Sequence, residues 1–102
     1  MVQLFPTPSE KLTDAAGRPY FLWDSDMTLS EFERRLREES PDGRAYLVGK
    51  LMRQAKPDDV FSFVNTDEIV ELWPRLKRYL GRELAFWEWL LGFWGYELEP
   101  TQ

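Results

Sequence analysis

Hydrophobic and polar positions repeat with a helical period along most of the chain. Between Leu29 and Leu36 the apolar residues recur every three or four positions, which places them on one helix face. Thr28 and Glu31 have the spacing of a capping box, in which each side chain satisfies a free backbone donor of the other residue. The pattern therefore predicts a first helix over about residues 28–39.

A second helix is predicted over about residues 40–55. Ser40 and Pro41 are residue types favoured at the N-cap and at the first helical position. The segment 57–64, PDDVFSFV, opens with a proline that ends this helix, and it predicts a short helical turn. The residues predicted to be buried from these two segments are Leu47, Val48, Leu51, Met52, Ala55, Val60, Phe61 and Val64.

The C-terminal third of the chain predicts two further helices. Asn65 and Glu68 repeat the capping-box spacing and open a segment with a broad apolar face. Pro74 lies inside that segment, so we expect either a kink or a break there, with one helix ending before the proline and another starting at it. Gly81 is a residue type typical of the position that follows a helix, and the last helix is predicted over about residues 82–94.

The first 27 residues have a different character. Their prolines and glycine exclude a long helix, although a short helical turn fits Ser9 to Ala16. The apolar run PYFLWD, residues 19–24, is too short to predict a helix and reads as an extended or anchoring segment. The helix-breaking residues of this arm are Pro6, Pro8, Gly17 and Pro19.

Together these elements predict an all-α protein. We expect one compact bundle of about five helices over residues 28–96, an irregular proline-containing arm over residues 1–27, and a short tail over residues 97–102. A chain of 102 residues is long enough to bury a single hydrophobic core without disulfides or metal ions.

The last predicted helix contains the stretch LAFWEWLLGFW, residues 84–94. On a helical wheel its apolar side chains sweep roughly 220°, about twice the apolar stripe of an ordinary surface helix. One interpretation is a central helix that is packed on several sides. The other is that one edge docks a partner, because large aromatic residues are favoured interface anchors. The two candidate edges are Trp87, Leu91 and Trp94, or Trp89 and Phe93.

The composition argues against an enzyme and against a cofactor or metal site. The chain has no cysteine and no histidine, which removes thiol chemistry and the commonest general base and metal ligand. It also lacks a glycine-rich phosphate loop and the nucleophile and zinc motifs of hydrolases. The N-terminus has no signal-peptide pattern and no segment reaches the length of a membrane span, so we expect a cytoplasmic protein without membrane contact.

A calcium loop is also excluded at DSDMTLSEFER. Asp24, Asp26 and Thr28 match the first ligand positions of an EF-hand. Leu29 and Arg35, however, stand where the loop requires a glycine and a bidentate glutamate. The two aspartates are instead predicted to be turn residues near the start of the first helix.

Charge is distributed unevenly along the chain. The net charge of −5 argues against a dominant, sequence-independent affinity for nucleic acid. Residues 28–56 nevertheless carry seven basic and five acidic side chains. Tyr46, Lys50 and Arg53 share one predicted helix face there and form a candidate nucleic-acid contact, although solvated basic faces are common.

Four segments in a fixed order carry a resemblance to a known family. They are PYFLWDSD at 19–26, GRAYLVGKLM at 43–52, PDDVFSFV at 57–64 and RELAFWEWLL at 82–91. The chain resembles a family of small bacterial and archaeal proteins with an aromatic-Leu-Trp-Asp start and a late Leu-x-Phe-Trp helix. Genes of that family often lie beside abortive-infection-type nucleotidyltransferase toxins, and the resemblance therefore implies an antitoxin-like or accessory partner role.

We accordingly predict a non-enzymatic protein-interaction module whose partner is a nucleotidyltransferase-like toxin. The aromatic helix, the loop at Trp23 and Asp24, or both are the predicted contacts. The acidic C-terminal half is expected to cover a basic nucleic-acid or nucleotide site of the partner, which charge reversal at Glu97 and Glu99 would test. Two alternatives stay open. One is a DNA-binding autoregulator that uses the second helix, and the other is a homodimer that is held together by the aromatic helix.

Overall fold

Six α-helices and three short 3₁₀ turns make up the part of the chain that the computed structural model describes, residues 5–96. No β-strand occurs in this range, so the predicted all-α class is confirmed. The helices are α1 (Ser9–Leu12), α2 (Leu29–Glu38), α3 (Pro41–Gln54), α4 (Pro57–Val60), α5 (Thr66–Leu76) and α6 (Leu84–Phe93). The 3₁₀ turns are Tyr20–Leu22, Lys77–Tyr79 and Gly81–Glu83.

The helices α2, α3 and α5 begin at their predicted caps. The Thr28 side chain accepts a hydrogen bond from the backbone N–H of Glu31, and Ser40 does the same for the third residue of α3. Asn65 and Glu68 form the full reciprocal capping box of α5. Each cap satisfies a backbone donor that has no partner within its helix.

Helix α3 is the central helix of the bundle. It packs against α2, α4 and α5 and against all three 3₁₀ turns. A Cβ at Gly49 would lie 2.6 Å from the Tyr79 Cβ, so glycine is required for the close approach of the Lys77–Tyr79 turn. The buried side chains of α3 include the predicted Leu47, Val48, Leu51 and Met52, and Ala55 is half-buried at its end.

The α5 segment corrects one predicted alternative. The helix continues through Pro74 to Leu76 and then tightens into the Lys77–Tyr79 turn, so a break between Trp73 and Pro74 is wrong. Trp73 and Leu76 are both buried, and their packing keeps this stretch helical while Pro74 faces solvent.

The start of α6 also differs slightly from the prediction. Gly81 adopts the left-handed conformation, with a φ of 53°, as expected of a glycine that ends a helical segment. Gly81 is also the first residue of the 3₁₀ turn Gly81–Glu83. Helix α6 therefore begins at Leu84 instead of about residue 82.

The N-terminal arm is fastened to the core. Phe21 and Leu22, in the run that the sequence marks as an anchor, are fully buried among the core side chains. The arm also contains α1, which makes the described helices six in number where about five are predicted. Residues 1–4 and the predicted tail 97–102, with Glu97 and Glu99, lie outside the described residues. Among the described helices, none has both the length and the apolar character needed to cross a membrane.

Candidate functional site

Helix α6 packs on one side only, although it is apolar on both sides. Trp87 and Leu91 point inward and are fully buried. Phe86, Trp89 and Phe93 lie on the opposite side, where 36%, 62% and 68% of their surfaces remain exposed. The helix is therefore not the central helix of the bundle, and its outer side leaves large aromatic rings in solvent.

The buried side fixes how α6 is rotated. The indole nitrogen Nε1 of Trp87 donates a hydrogen bond of 3.1 Å to the backbone carbonyl of Met52 in α3. The Phe61 ring lies edge-on to Trp87 with the ring centroids 5.9 Å apart, and it also contacts the half-buried Trp94 at 5.3 Å. A buried tryptophan that has both a hydrogen bond and ring contacts holds one orientation.

The three outward rings form a continuous surface, which we call the aromatic face: Phe86, Trp89 and Phe93. Trp89 and Phe93 are one helical turn apart and stack with their centroids separated by 5.7 Å and an interplanar angle of 21°. Phe86 lies 6.3 Å from Trp89 on the other side. At these exposures the three side chains leave roughly 300 Å² of apolar surface in water. A patch of that size is comparable with the largest patch of a typical monomer, which is often functional.

The structure distinguishes the two edges that the sequence left open. Trp89 and Phe93 lie on the surface, whereas Trp87 and Leu91 belong to the core. The assignment of Trp87 and Leu91 as accessible partner contacts is therefore corrected, because the Met52 carbonyl and the Phe61 ring occupy that side of the helix. Phe86 is absent from the predicted set, although its position three residues before Trp89 places it on the same face.

The two residues of the predicted loop contact differ: Trp23 is an exposed ring, and Asp24 forms an ion pair with α3. Trp23 is 75% exposed. Asp24 beside it accepts a 2.7 Å hydrogen bond from the ammonium group of Lys50, whose side chain is buried. That hydrogen bond holds the pKa of the Asp24 carboxyl below its usual value, although burial opposes the shift. Asp24 thus ties the loop to α3.

The same ion pair corrects the predicted nucleic-acid stripe. The Lys50 ammonium is paired with Asp24 and its side chain is only 8% exposed, since the Tyr20–Leu22 turn packs against α3. Tyr46 and Arg53 do lie on the surface. A stripe of three side chains on α3 is therefore reduced to two.

Removing the Asp24 carboxylate is expected to lower the free energy of unfolding by about 1 kcal/mol. Asp24→Ala leaves the Lys50 ammonium without its partner, but the space vacated by the carboxylate admits water, which limits the cost. Asp26→Ala is the matched control, because Asp26 lies in the same loop and is fully exposed. Urea unfolding of both variants checks this, and equal midpoints for the two would contradict it.

A second polar cluster, centred on Asp59, has no counterpart in the sequence predictions. Its buried carboxylate accepts hydrogen bonds of 2.6 Å from both the backbone N–H and the hydroxyl of Thr7, and one from the Tyr20 hydroxyl. The Tyr20 oxygen in turn accepts from the N–H of Lys56. The local pattern around Asp59 indicates only an acid in the first turn of a short helix, because partners about 40 and 50 residues away leave no local signal.

Hydrogen bonds between the arm and Asp59 shift the pKa values of this cluster. Burial opposes ionisation of Asp59, but the hydrogen bonds from Thr7 and Tyr20 outweigh it and hold the pKa of Asp59 below its ordinary value. Burial, together with the neighbouring carboxylate, raises the pKa of Tyr20 to about 12. The cluster is thus a fastening for the arm that depends on an ionised Asp59 and a protonated Tyr20.

A cavity of about 390 Å³ opens beside Trp23, between α1 and the loop that follows it. Arg18 lines the cavity and pairs with Asp14 at 3.1 Å and with Asp26 at 3.3 Å, which balances its charge locally. Among residues 5–96 no group of three or more acidic, histidine or cysteine side chains is placed to hold a metal ion. No protein-family model, curated protein or solved structure matches this chain.

Proposed function

We propose that this protein is a non-enzymatic interaction module that binds a protein partner through the aromatic face. The observation that supports it most directly is the exposure of Trp89 and Phe93, stacked on each other, on a helix whose other side is anchored in the core. Rigid, preorganised aromatic rings lose little conformational entropy when they are buried at an interface, and they dominate binding energies there.

The proposed partner is a nucleotidyltransferase-type toxin, toward which the protein acts as an antitoxin-like partner in the cytoplasm. The resemblance of the PYFLWDSD and RELAFWEWLL segments to proteins encoded beside such toxins supports this choice. The exposed Trp23 provides a second apolar contact outside α6. Binding at these surfaces hinders access of the toxin to its substrate.

The aromatic face is tested by the double variant Trp89→Ser, Phe93→Ser. We expect its affinity for the toxin encoded by the neighbouring gene to fall at least about thirtyfold, because each ring is an exposed anchor that contributes 1 kcal/mol or more. Isothermal titration calorimetry measures the affinity. Colony formation on induction of the toxin, with and without co-expressed protein, measures the neutralisation.

Trp23→Ser tests the loop contact separately, since it removes an equally exposed tryptophan outside α6. Phe5→Ser is the matched control, because Phe5 is an exposed aromatic residue outside both proposed contacts. If Trp23→Ser alone fails to restore colony formation, the loop, and not the aromatic face, binds the toxin. Thermal unfolding must give the same midpoint for the double variant and the wild type. Light scattering adds a further test of the oligomeric state. A dimeric wild type and a monomeric double variant would identify the aromatic face as a homodimer interface.

A second candidate function is operator binding by a DNA-binding autoregulator. The observation in its favour is that Tyr46 and Arg53 both lie on the exposed side of α3. A mobility shift of the protein's own promoter duplex, abolished by Arg53→Ala, would support this function. Absence of a shift with the wild type would exclude it.

A further inference from the structure

A basic segment without an acidic residue lies at positions 74–82, PRLKRYLGR. Four of its nine residues are lysine or arginine, within a protein whose net charge is −5. The segment forms the end of α5 and the Lys77–Tyr79 turn. That turn packs directly against α3, so its charges lie beside those of the central helix.

Tyr79 joins the basic segment to α3. Its ring meets the Tyr46 ring edge-on, with centroids 5.6 Å apart, and the Arg78 guanidinium lies over it at 5.2 Å. Arg53 of α3 donates a hydrogen bond of 3.3 Å to the Tyr79 backbone carbonyl. Two aromatic rings and two guanidinium groups from separate elements are therefore gathered at one surface, which we call the Tyr79 cluster: Tyr46, Arg53, Arg78 and Tyr79.

The cluster carries an excess of positive charge. Arg75 and Arg78 share a single carboxylate, that of Asp42, at 2.9 Å and 3.9 Å. Arg53 uses a neutral carbonyl as its acceptor. Arg75 and Arg78 therefore share one acid, and Arg53 has no carboxylate partner among the described residues. Both partners of the Arg78–Asp42 contact are largely exposed.

We propose that the Tyr79 cluster binds single-stranded nucleic acid. Tyr46 is 49% exposed and is held by Tyr79, which leaves a ring available for a base to stack on. The guanidinium groups of Arg53 and Arg78 supply contacts for the adjoining phosphates. An unpaired strand exposes the base faces that such stacking needs, whereas a duplex hides them.

The overall charge of the protein also favours a single strand over a duplex. A duplex presents about one phosphate charge per 1.7 Å of axis and is repelled by an acidic protein outside a small basic patch. A single strand can follow the few cations of the cluster while the rest of the chain stays away from the acidic surface. This site is separate from the aromatic face, and its failure would leave the proposed toxin partner unaffected. It shares Tyr46 and Arg53 with the alternative of operator binding, and the comparison of a single strand with a duplex decides between the two.

The test is fluorescence anisotropy of the full chain with labelled oligothymidylate and oligouridylate of about 20 nucleotides. Tyr46→Ser is expected to weaken binding roughly tenfold at every salt concentration, because stacking is largely independent of salt. Arg53→Gln with Arg78→Gln is expected to weaken binding and to reduce the slope of log affinity against log salt by about 0.7 for each lost phosphate contact.

Arg37→Gln is the matched control, since it removes an exposed guanidinium from α2 and should leave binding unchanged. Heparin and polyglutamate serve as polyanions without bases. The proposal is overturned if the oligonucleotides do not bind, if either polyanion binds equally well, or if a duplex of the same length binds better. An equal loss in Arg37→Gln and in the double variant would overturn it as well.

Discussion

Replacing Trp87 with alanine is expected to lower the free energy of unfolding by about 3–5 kcal/mol. The side chain is fully buried, so its removal leaves a large cavity beside Phe61. The change also removes a hydrogen bond, since Trp87 donates to the Met52 carbonyl, one of the last four carbonyls of α3, which lack a partner within the helix. In a domain of this size the loss corresponds to a fall in Tm of roughly 15 °C or more.

Trp89→Ala is the matched control for this prediction, because it makes the same substitution two residues away in the same helix. Trp89 is 62% exposed, and we expect its removal to cost less than about 1 kcal/mol. Differential scanning calorimetry of the two variants measures both effects. Similar losses of stability in Trp87→Ala and Trp89→Ala would show that α6 is packed on both sides and would remove the aromatic face.

The helices themselves were predictable because their signals are local. The caps at Thr28, Ser40 and Asn65 depend on residues within three positions, and each capping side chain accepts the predicted hydrogen bond. The reciprocal box forms at Asn65, whereas at Thr28 only the hydrogen bond to the Thr28 side chain forms. The buried stripe of α3 was predictable for the same reason, since helical periodicity is a property of neighbouring residues. These signals determined the all-α class.

The identity of the exposed edge of α6 was not predictable from the sequence. Trp87 and Trp89 lie on different sides of a helix that is apolar over most of its circumference, so periodicity could not select the inner one. The choice is made by the Met52 carbonyl and the Phe61 ring, which are distant in sequence. The burial of Lys50 has the same origin, because its partner Asp24 is 26 residues away in the arm.

Loss of the Asp59 carboxylate is the second large effect that we expect. Asp59→Ala should lower the free energy of unfolding by about 3 kcal/mol at neutral pH, because an ionised acceptor serves three donors from the arm. Asp58→Ala is the matched control, since its neighbouring carboxylate accepts one exposed hydrogen bond from the Phe5 backbone. Urea unfolding measures both variants.

The contribution of Asp59 should depend on pH in a defined direction. The pKa of Asp59 in the folded protein lies below the value of about 3.9 for an unfolded chain, so protons bind the unfolded state more readily. The stabilisation is therefore fully present above about pH 4 and is lost as the pH falls through the folded pKa. The difference in stability between wild type and Asp59→Ala should shrink over that acidic range.

Tyr20 provides the alkaline counterpart of this prediction. Its pKa is raised from 10.0 to about 12, so the folded state keeps the phenol proton that donates to Asp59 after the unfolded chain has lost its own. The resulting stabilisation is present below pH 10 and disappears as the pH rises toward 12. Tyr20→Phe should remove this alkaline dependence and weaken the acidic one, because the Tyr20 hydroxyl also helps to lower the pKa of Asp59. The free energies of unfolding of the wild type and of Asp59→Ala are compared from pH 3 to pH 7. A constant difference over this range would contradict the proposal that an ionised Asp59 fastens the arm.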